Sequence, residues 1–171
     1  MVRIHSFAPI AERHARVLIL GSMPGDASLR AGEYYAHPRN HFWRMMGTLV
    51  GFNPELPYAA RVHALKSAGI AVWDVLHSCM RVGSLDANID HASLATNDFR
   101  AFFARHEHIT HVFFNGGAAE KIYRRDMLPV LDMPHIEYRR LPSTSPANAS
   151  YSFERKLERW KTILPYLTRD H

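Results

Sequence analysis

The chain has 171 residues, of which 47% are hydrophobic and 22% are charged. These fractions are close to the average of globular proteins and exclude an intrinsically disordered chain. A single cysteine, Cys79, excludes an intramolecular disulfide framework and any iron–sulfur cluster or zinc site built on several thiolates. Residues 1–11 lack the apolar core of a signal peptide, and no segment approaches the roughly 18 apolar residues of a membrane span. We therefore expect a cytoplasmic protein that forms one domain over residues 1–171.

The positive charge is concentrated near the C-terminus. The formal net charge at pH 7 is +5. Residues 1–120 hold 11 Lys and Arg against 10 Asp and Glu, whereas residues 121–171 hold 10 against 6. This distribution is typical of a protein with a polyanionic partner, but a solvated helix face with a mild basic bias has the same composition.

Short apolar runs alternate with amphipathic stretches along the first half of the chain. The run from Arg16 to Leu20 precedes Gly21 and predicts a strand that is covered on both faces. Helical spacing follows over residues 40–50 and 58–67. A second apolar run predicts the next strand over residues 70–75.

The second half begins with a polar, irregular segment, residues 82–95, which predicts a long surface connection. A helix is predicted over residues 97–107, with Thr96 as its N-cap. The remaining predictions are a strand at 111–115, a helix at 118–128, a strand at 136–141, a turn-rich loop at 142–146 and a closing helix at 152–167.

Four strands separated by helices predict an α/β fold, a three-layer α/β/α sandwich around a four-stranded, mainly parallel sheet. Ligands of such sheets bind beyond the C-terminal ends of the strands. Those ends carry glycine-rich or polar segments, which we expect to lie along one edge and form an active site: Gly21–Gly25, the residues after Asp74, Asn115–Gly117 and Pro142–Pro146.

Common nucleotide and metal motifs are absent from the sequence. The segment Gly21–Gly25 follows a strand but contains neither Gly-Lys-Ser/Thr nor the spaced glycines of a dinucleotide-binding loop. A two-histidine zinc helix requires a second histidine four residues after the first, and His106 has Thr110 at that position. We therefore expect no metal site, and the histidine-rich segment 106–111 is interpreted as a solvated linker.

The segment Gly21–Trp43 resembles the uracil-DNA glycosylase superfamily. Tyr35-Ala-His-Pro-Arg-Asn-His-Phe-Trp43 matches a motif of its mismatch-specific branch, and the loop Leu141–Asn148 stands where the superfamily has its second motif. Together with Gly69–Val75 and Gly83-Ser-Leu-Asp-Ala-Asn-Ile89, these residues most resemble the family 6 hypoxanthine-DNA (deoxyinosine) glycosylases. The resemblance implies the three-layer fold over nearly the whole chain.

The resemblance also implies an activity. A DNA glycosylase of this kind flips a deaminated base, hypoxanthine or uracil, out of DNA and removes it with water as the nucleophile, in base excision repair. It would act as a monomer on DNA containing deaminated bases, without a metal, another cofactor or a membrane. No lysine lies in the matched motif, so no Schiff-base step is expected.

The chain departs from the superfamily at Met23, where most members have an Asp or Asn that orients the water. Methionine cannot do this, so either the activity is lost or the polar group has moved. In family 6 the Asn of the His-Pro-x-Asn segment is held to be catalytic, which implies that role for Asn40. The alternative is that Asn40 only caps the following helix.

The resemblance also implies a base-binding pocket. Tyr35 aligns with the aromatic residue on which the flipped base stacks, and His37 is placed to donate a hydrogen bond to the leaving purine. Asp74 is near the position that contacts the base edge, and its carboxylate would accept from N1–H of hypoxanthine or N3–H of uracil. Ser22 and Met23 would form the pocket wall. The alternatives are a core aromatic for Tyr35, a turn contact for His37, and an N-cap or ion pair for Asp74.

The loop after the last predicted strand is interpreted as a DNA contact. Its hydroxyl and backbone N–H groups would bind phosphates, with Pro146 and Ala147 as a wedge that fills the gap left by the flipped base. Arg140 would belong to a phosphate-binding rim. The alternative is a polar strand-to-helix turn. The hydroxyl-bearing residues of the loop are Ser143, Thr144 and Ser145.

The sequence does not exclude two other functions. A protein that kept the fold but lost the chemistry with Met23 would bind damaged DNA without releasing a base. A small-nucleotide-binding α/β module would bind free nucleotides and show no preference for duplex DNA.

Overall fold

The computed structural model describes residues 2–168. Seven strands and six α-helices are assigned within this range. The strands are β1 (Arg3–His5), β2 (Val17–Gly21), β3 (Ile70–Asp74), β4 (Leu76–Arg81), β5 (Ile89–Thr96), β6 (His111–Asn115) and β7 (Glu137–Leu141). The helices are α1 (Asp26–Ala31), α2 (Phe42–Met46), α3 (Tyr58–Ser67), α4 (Phe99–Arg105), α5 (Gly117–Asp126) and α6 (Phe153–Trp160).

The central sheet has the strand order β3-β2-β6-β7, and its three pairings are all parallel. Its four strands are those that the sequence predicts. The reason is visible in β2, where residues 17–20 are completely buried and face both sides of the sheet. A strand buried on both faces needs a continuous apolar sequence, and such a run is easily recognised.

Helices cover both faces of this sheet and complete the three-layer sandwich that the sequence predicts. Leu18, Leu20 and Phe114 pack on one side with α4 and α5. Val17, Ile19 and Phe113 pack on the other with α2, α3 and α6. Because neighbouring residues of one strand enter opposite cores, each strand connects the two helical layers.

A second, antiparallel sheet with the order β1-β4-β5 corrects the prediction of an irregular connection over residues 82–95. Residues 89–96 form β5, which pairs with β4 through a register broken by two irregularities. Those irregularities interrupt the alternation of buried and exposed side chains, so the sequence pattern of a strand is lost. Only residues 82–88 form the connection.

Several predicted boundaries also change. Thr96 is the last residue of β5, and the N-cap of α4 is Asp98, whose side chain accepts from the Ala101 N–H at 3.1 Å. The helix predicted over 40–50 begins at Phe42 and continues beyond Met46 as a wider helical turn over Gly47–Gly51. The closing helix narrows to a 3-10 helix over Lys161–Tyr166, which contains Pro165. None of the helices within residues 2–168 is long and apolar enough to cross a membrane.

Candidate active site

The segments at the C-terminal edge of the central sheet enclose a cavity of about 150 Å³. A space of this size accommodates a benzene-sized ring. Three of the four segments predicted for this edge contribute to the wall, together with Asp74 itself and residues between α1 and α2. The residues that directly follow Asp74 are not among the lining residues. The lining includes Gly21–Ser28, Tyr34, Tyr35, His37, Asn40, Asp74, Ser84, Asp86, Asn115 and Ser143–Pro146.

Gly21, the last residue of β2, makes the floor of the cavity possible. A Cβ atom at this position would lie 2.6 Å from Asp74 Oδ1 and 2.9 Å from the Tyr35 hydroxyl. Both distances are shorter than a carbon atom tolerates, so no side chain fits without moving Asp74 or Tyr35. Glycine therefore allows a carboxyl group and a phenol to approach the same strand end.

Tyr35 forms a rigid aromatic wall. Its φ of 55° lies in the left-handed region, which a tyrosine seldom adopts. The ring stacks on Phe42 with 4.1 Å between centroids, and its buried hydroxyl oxygen has no hydrogen-bond partner within residues 2–168. Tyr34 packs inward, with its hydroxyl donating to the Ala8 carbonyl at 2.8 Å.

Asp74 presents a buried carboxyl group to the cavity. The residue is 3% exposed, and within residues 2–168 its Oδ2 atom has no hydrogen-bond partner and its carboxylate forms no ion pair. Burial raises the pKa of Asp74 to about 7, Asp86 adds to the increase, and Arg81 opposes it. The N-cap and ion-pair alternatives for Asp74 are therefore not found here, and the group is left for a ligand.

Asn40 lines the cavity and also holds the chain at the start of α2. Its side-chain Oδ1 accepts from the Phe42 N–H at 2.9 Å, so the local contact expected as the alternative role is present. An amide oxygen has two lone pairs, and this bond uses one of them. His37 likewise makes its expected turn contact, because its Nδ1 accepts from the Arg39 N–H at 3.1 Å.

The loop over residues 142–146 is fixed by contacts from three elements. Asn115 Nδ2 donates to Thr144 Oγ1 and the Thr144 N–H donates to Asn115 Oδ1, both at 2.9 Å. The His41 N–H donates to the Thr144 carbonyl at 2.9 Å, and Trp160 Nε1 donates to Pro142 at 2.9 Å. The Asn115 side chain holds this loop and does not cap α5, whose N-cap is Gly116.

The hydroxyl groups of this loop are not equally available. Thr144 is completely buried, and its hydroxyl accepts a hydrogen bond from Asn115. The Thr144 hydroxyl is therefore not accessible to a phosphate, in contrast to the prediction. Ser143 Oγ accepts from the Ser145 N–H at 3.1 Å, and Ser145 Oγ accepts from the Ala147 N–H at 3.2 Å. Thr144 therefore lies beneath the loop, whereas Ser143 and Ser145 fold its outer turn.

The basic residues near the loop separate into two kinds. Arg140 is exposed, with its guanidinium 3.8 Å from the Glu120 carboxylate. Lys156 is 1% exposed, and its Nζ donates to the Ser145 carbonyl at 3.4 Å. Burial lowers the pKa of Lys156. Helical spacing alone does not distinguish a buried lysine from the solvated ones beside it.

Two residues of the site, Ser84 and Asp86, were not predicted from the sequence. Ser22, which is buried in the pocket wall with Met23, donates to Asp86 Oδ1 at 2.6 Å. Ser84 and Asp86 line the cavity. The signal that could have found them is the Gly83–Ile89 motif, which was noted as part of the resemblance but given no role.

Known proteins resemble the chain over nearly its whole length. The sequence model of the uracil DNA glycosylase superfamily matches residues 8–168 of this chain. A hypoxanthine DNA glycosylase of Methanosarcina acetivorans is 33% identical over 158 residues, covering 92% of this chain and 95% of the relative. The chain belongs to the uracil DNA glycosylase superfamily. A hypoxanthine DNA glycosylase of Methanosarcina barkeri is 34% identical over 143 residues, covering 83% and 86% of the two chains.

A solved structure supports the same assignment to the superfamily. The solution NMR structure of a candidate uracil DNA glycosylase from Methanosarcina acetivorans has a TM-score of 0.80 and 31% sequence identity. The match covers 95% of this chain and 97% of that one. The predicted family and α/β/α fold are confirmed.

As a member of the superfamily, the chain is a DNA glycosylase, a hydrolase of N-glycosidic bonds whose general role is base excision repair. DNA is its substrate. Within residues 2–168, no group of three or more His, Cys, Asp or Glu side chains is arranged to hold a metal ion.

Proposed function

We propose that this glycosylase removes hypoxanthine from deoxyinosine in DNA, and uracil as a secondary substrate. Two relatives named hypoxanthine DNA glycosylase support this choice. The observation that carries it is a small cavity in which a buried, unpaired carboxyl group and the Asn40 side chain face the same space. The carboxyl group can bind the edge of a base, and the Asn40 amide can bind a water molecule.

A flipped hypoxanthine fits the cavity with its ring against Tyr35. The strained backbone of Tyr35 and its stacking on Phe42 hold the ring in place before the base arrives, so little ordering is needed on binding. The ionised Asp74 carboxylate accepts the N1–H of the base. Ser22 and Met23 close the wall behind it.

Asn40 positions the hydrolytic water. The bond from the Phe42 N–H fixes the amide and leaves the second lone pair of Oδ1 to accept from water. The bond from the Phe42 N–H is therefore compatible with the catalytic role. Because it fixes the rotamer of Asn40, it places the water molecule more accurately. On this account the polar group missing at Met23 has moved to Asn40.

His37 assists the departure of the base. Because its Nδ1 accepts from the Arg39 N–H, the proton of the neutral imidazole is on Nε2. That N–H donates to the purine as negative charge develops on it. The contact that holds the turn thus selects the tautomer needed for leaving-group stabilisation.

The loop and its neighbours bind the DNA backbone. Ser143 and Ser145 present the outer turn to phosphates, Arg140 adds charge, and Thr144 positions the loop from below. We further propose that residues 1–171 form a single glycosylase domain that works as a monomer. The substrate implies a cytoplasmic, nucleoid-associated location.

The first prediction concerns activity on a matched panel of duplexes containing deoxyinosine, deoxyuridine, deoxyxanthosine or only normal bases. Excision followed by alkaline cleavage should be fastest for deoxyinosine. Asn40→Ala should reduce the rate by about 100-fold or more, because positioning a nucleophile contributes on that order. Normal duplex is the control.

Two outcomes would contradict the proposal. Absence of alkali-labile sites above the Asn40→Ala level shows that the protein does not act as proposed. Tight, salt-dependent binding of deoxyinosine duplex without release of base would instead identify a damage-binding protein. The buried methionine in the pocket wall is the observation that favours that second function.

A further inference from the structure

Residues 82–88, which connect β4 to β5 and which we call the lip, are fixed to the pocket wall at three points. Arg81 at the end of β4 donates to the Pro24 carbonyl at 2.5 Å. Ser84 Oγ accepts from the Asp26 N–H at 2.8 Å, and Asp86 accepts from Ser22 at 2.6 Å. The lip therefore holds its place at the mouth of the cavity without a bound ligand.

The lip exposes two large apolar side chains. Within residues 2–168, large hydrophobic residues are exposed at five positions, and two of them are Val82, at 64%, and Leu85, at 52%. Bonds within the lip keep this arrangement, since Arg81 Nε donates to the Gly83 carbonyl at 2.7 Å and the Asn88 N–H donates to the Leu85 carbonyl at 3.0 Å. Leu85 is therefore held in an exposed position beside the cavity, where it can contact a ligand that extends beyond the cavity.

Leu85 faces a groove whose other lining residues suit DNA. The groove runs beside the cavity between the lip and the loop after β7, and it includes Arg140, Arg159 and Ala147. The two arginines supply positive charge for DNA phosphates. Ala147, part of the wedge predicted from sequence, carries a single methyl group and is too small to replace a base in the stack.

We propose that Leu85 is the side chain that enters the base stack of duplex DNA when the damaged nucleotide leaves it. This inference rests on the proposed function, because it takes the duplex around a flipped base as the occupant of the groove. Leucine is one of the side chains that DNA-bending proteins insert between base steps. The lip and the loop after β7 then contact the DNA from opposite sides of the cavity, with the larger apolar group on the lip.

The test compares Leu85→Ala with the unaltered protein on duplex and single-stranded DNA. A duplex with 2-aminopurine next to an abasic-site analogue reports unstacking by fluorescence and requires no catalysis. The unaltered protein should increase the fluorescence at saturation, and Leu85→Ala should lose most of that increase. On deoxyinosine substrates, the variant should be about tenfold slower with duplex and unchanged with single strands, because only the duplex needs a wedge.

Two matched variants separate this role from general effects. Val130→Ala truncates another exposed apolar residue, outside the grooves around the site, and should match the unaltered protein in every assay. Ala147→Gly tests the loop after β7, on the opposite side of the groove, and should reduce the fluorescence increase and the rate on duplex less than Leu85→Ala does. An unchanged fluorescence signal in Leu85→Ala, or equal losses on duplex and single strands, overturns the proposal. Failure of the unaltered protein to release hypoxanthine, with the fluorescence difference intact, would refute the proposed function and leave the wedge standing.

Discussion

The carboxyl group of Asp74 lies at the end of β3, buried beside the strained Tyr35 and without a hydrogen-bond partner for Oδ2 in the described part of the chain. Burial opposes its ionisation, and the nearby Asp86 carboxylate does the same, while Arg81 favours it. The resulting pKa of about 7 means that the group changes charge near neutral pH. A ligand that donates a hydrogen bond favours the ionised form.

Excision should therefore depend on the ionisation of Asp74. If the carboxylate accepts N1–H of hypoxanthine, kcat/KM should increase as pH rises through about 7. Asp74→Asn should lose this limb of the pH profile and have a lower plateau. A wild-type profile that stays flat from pH 6 to pH 8 would contradict the assigned role.

Stability provides a control for this prediction that needs no substrate. The native pKa is raised, so the native state binds more protons than the unfolded state and its stability falls as pH rises from about 4 to about 7. Relative to the unaltered protein, Asp74→Asn should gain roughly 4 kcal/mol across this range. Urea unfolding at several pH values measures the difference, and a constant difference would show that Asp74 titrates normally.

At the scale of elements, the loop after β7 shows how contacts between elements build the site. Asn115 from β6, the chain before α2 and Trp160 from α6 all hold its backbone. Two of these contacts, those from Asn115 and from the chain before α2, are made to Thr144. A completely buried residue whose hydroxyl, N–H and carbonyl groups are all hydrogen-bonded fixes one loop conformation.

Thr144→Val should loosen this loop while nearly preserving the volume of the side chain. The substitution leaves Asn115 Nδ2 without its acceptor, so the free energy of unfolding should fall by about 1–3 kcal/mol. Duplex binding should weaken because the loop is less ordered. Thr48→Val, at an exposed position on the turn after α2, is the control for urea unfolding and DNA titration. Equal effects of the two substitutions would argue against the positioning role.

The sequence predicts elements best where their burial is uniform. Three strands of the central sheet, β2, β3 and β6, are recognisable because both of their faces need apolar side chains, and the position of the site follows from the polar ends of the strands. β5 escapes recognition because its face is mostly half-exposed and its register with β4 is interrupted. The burial of Lys156 and Thr144 could not be predicted from the sequence pattern either, because it depends on which element packs over them.

At the scale of the whole molecule, the parts of the site are divided between the central sheet and the smaller antiparallel sheet. The central sheet supplies Gly21, Asp74 and the loop after β7, and the smaller sheet supplies the lip. The resemblance to glycosylases could be recognised from the motifs, but the contribution of the smaller sheet required the structure. The basic C-terminal third of the chain accordingly contributes exposed charge at Arg140 and a buried lysine beneath the loop.

The central claim is that these parts together hydrolyse the bond between hypoxanthine and deoxyribose with water as the nucleophile. The most direct test is product analysis by mass spectrometry after one turnover of a deoxyinosine duplex with excess protein. The account predicts free hypoxanthine and an intact abasic strand in equal amounts, no covalent complex after borohydride treatment, and formation of both products at least about 100-fold more slowly with Asn40→Ala. Intact deoxyinosine after complete binding, or a strand trapped on the protein by borohydride, would contradict it.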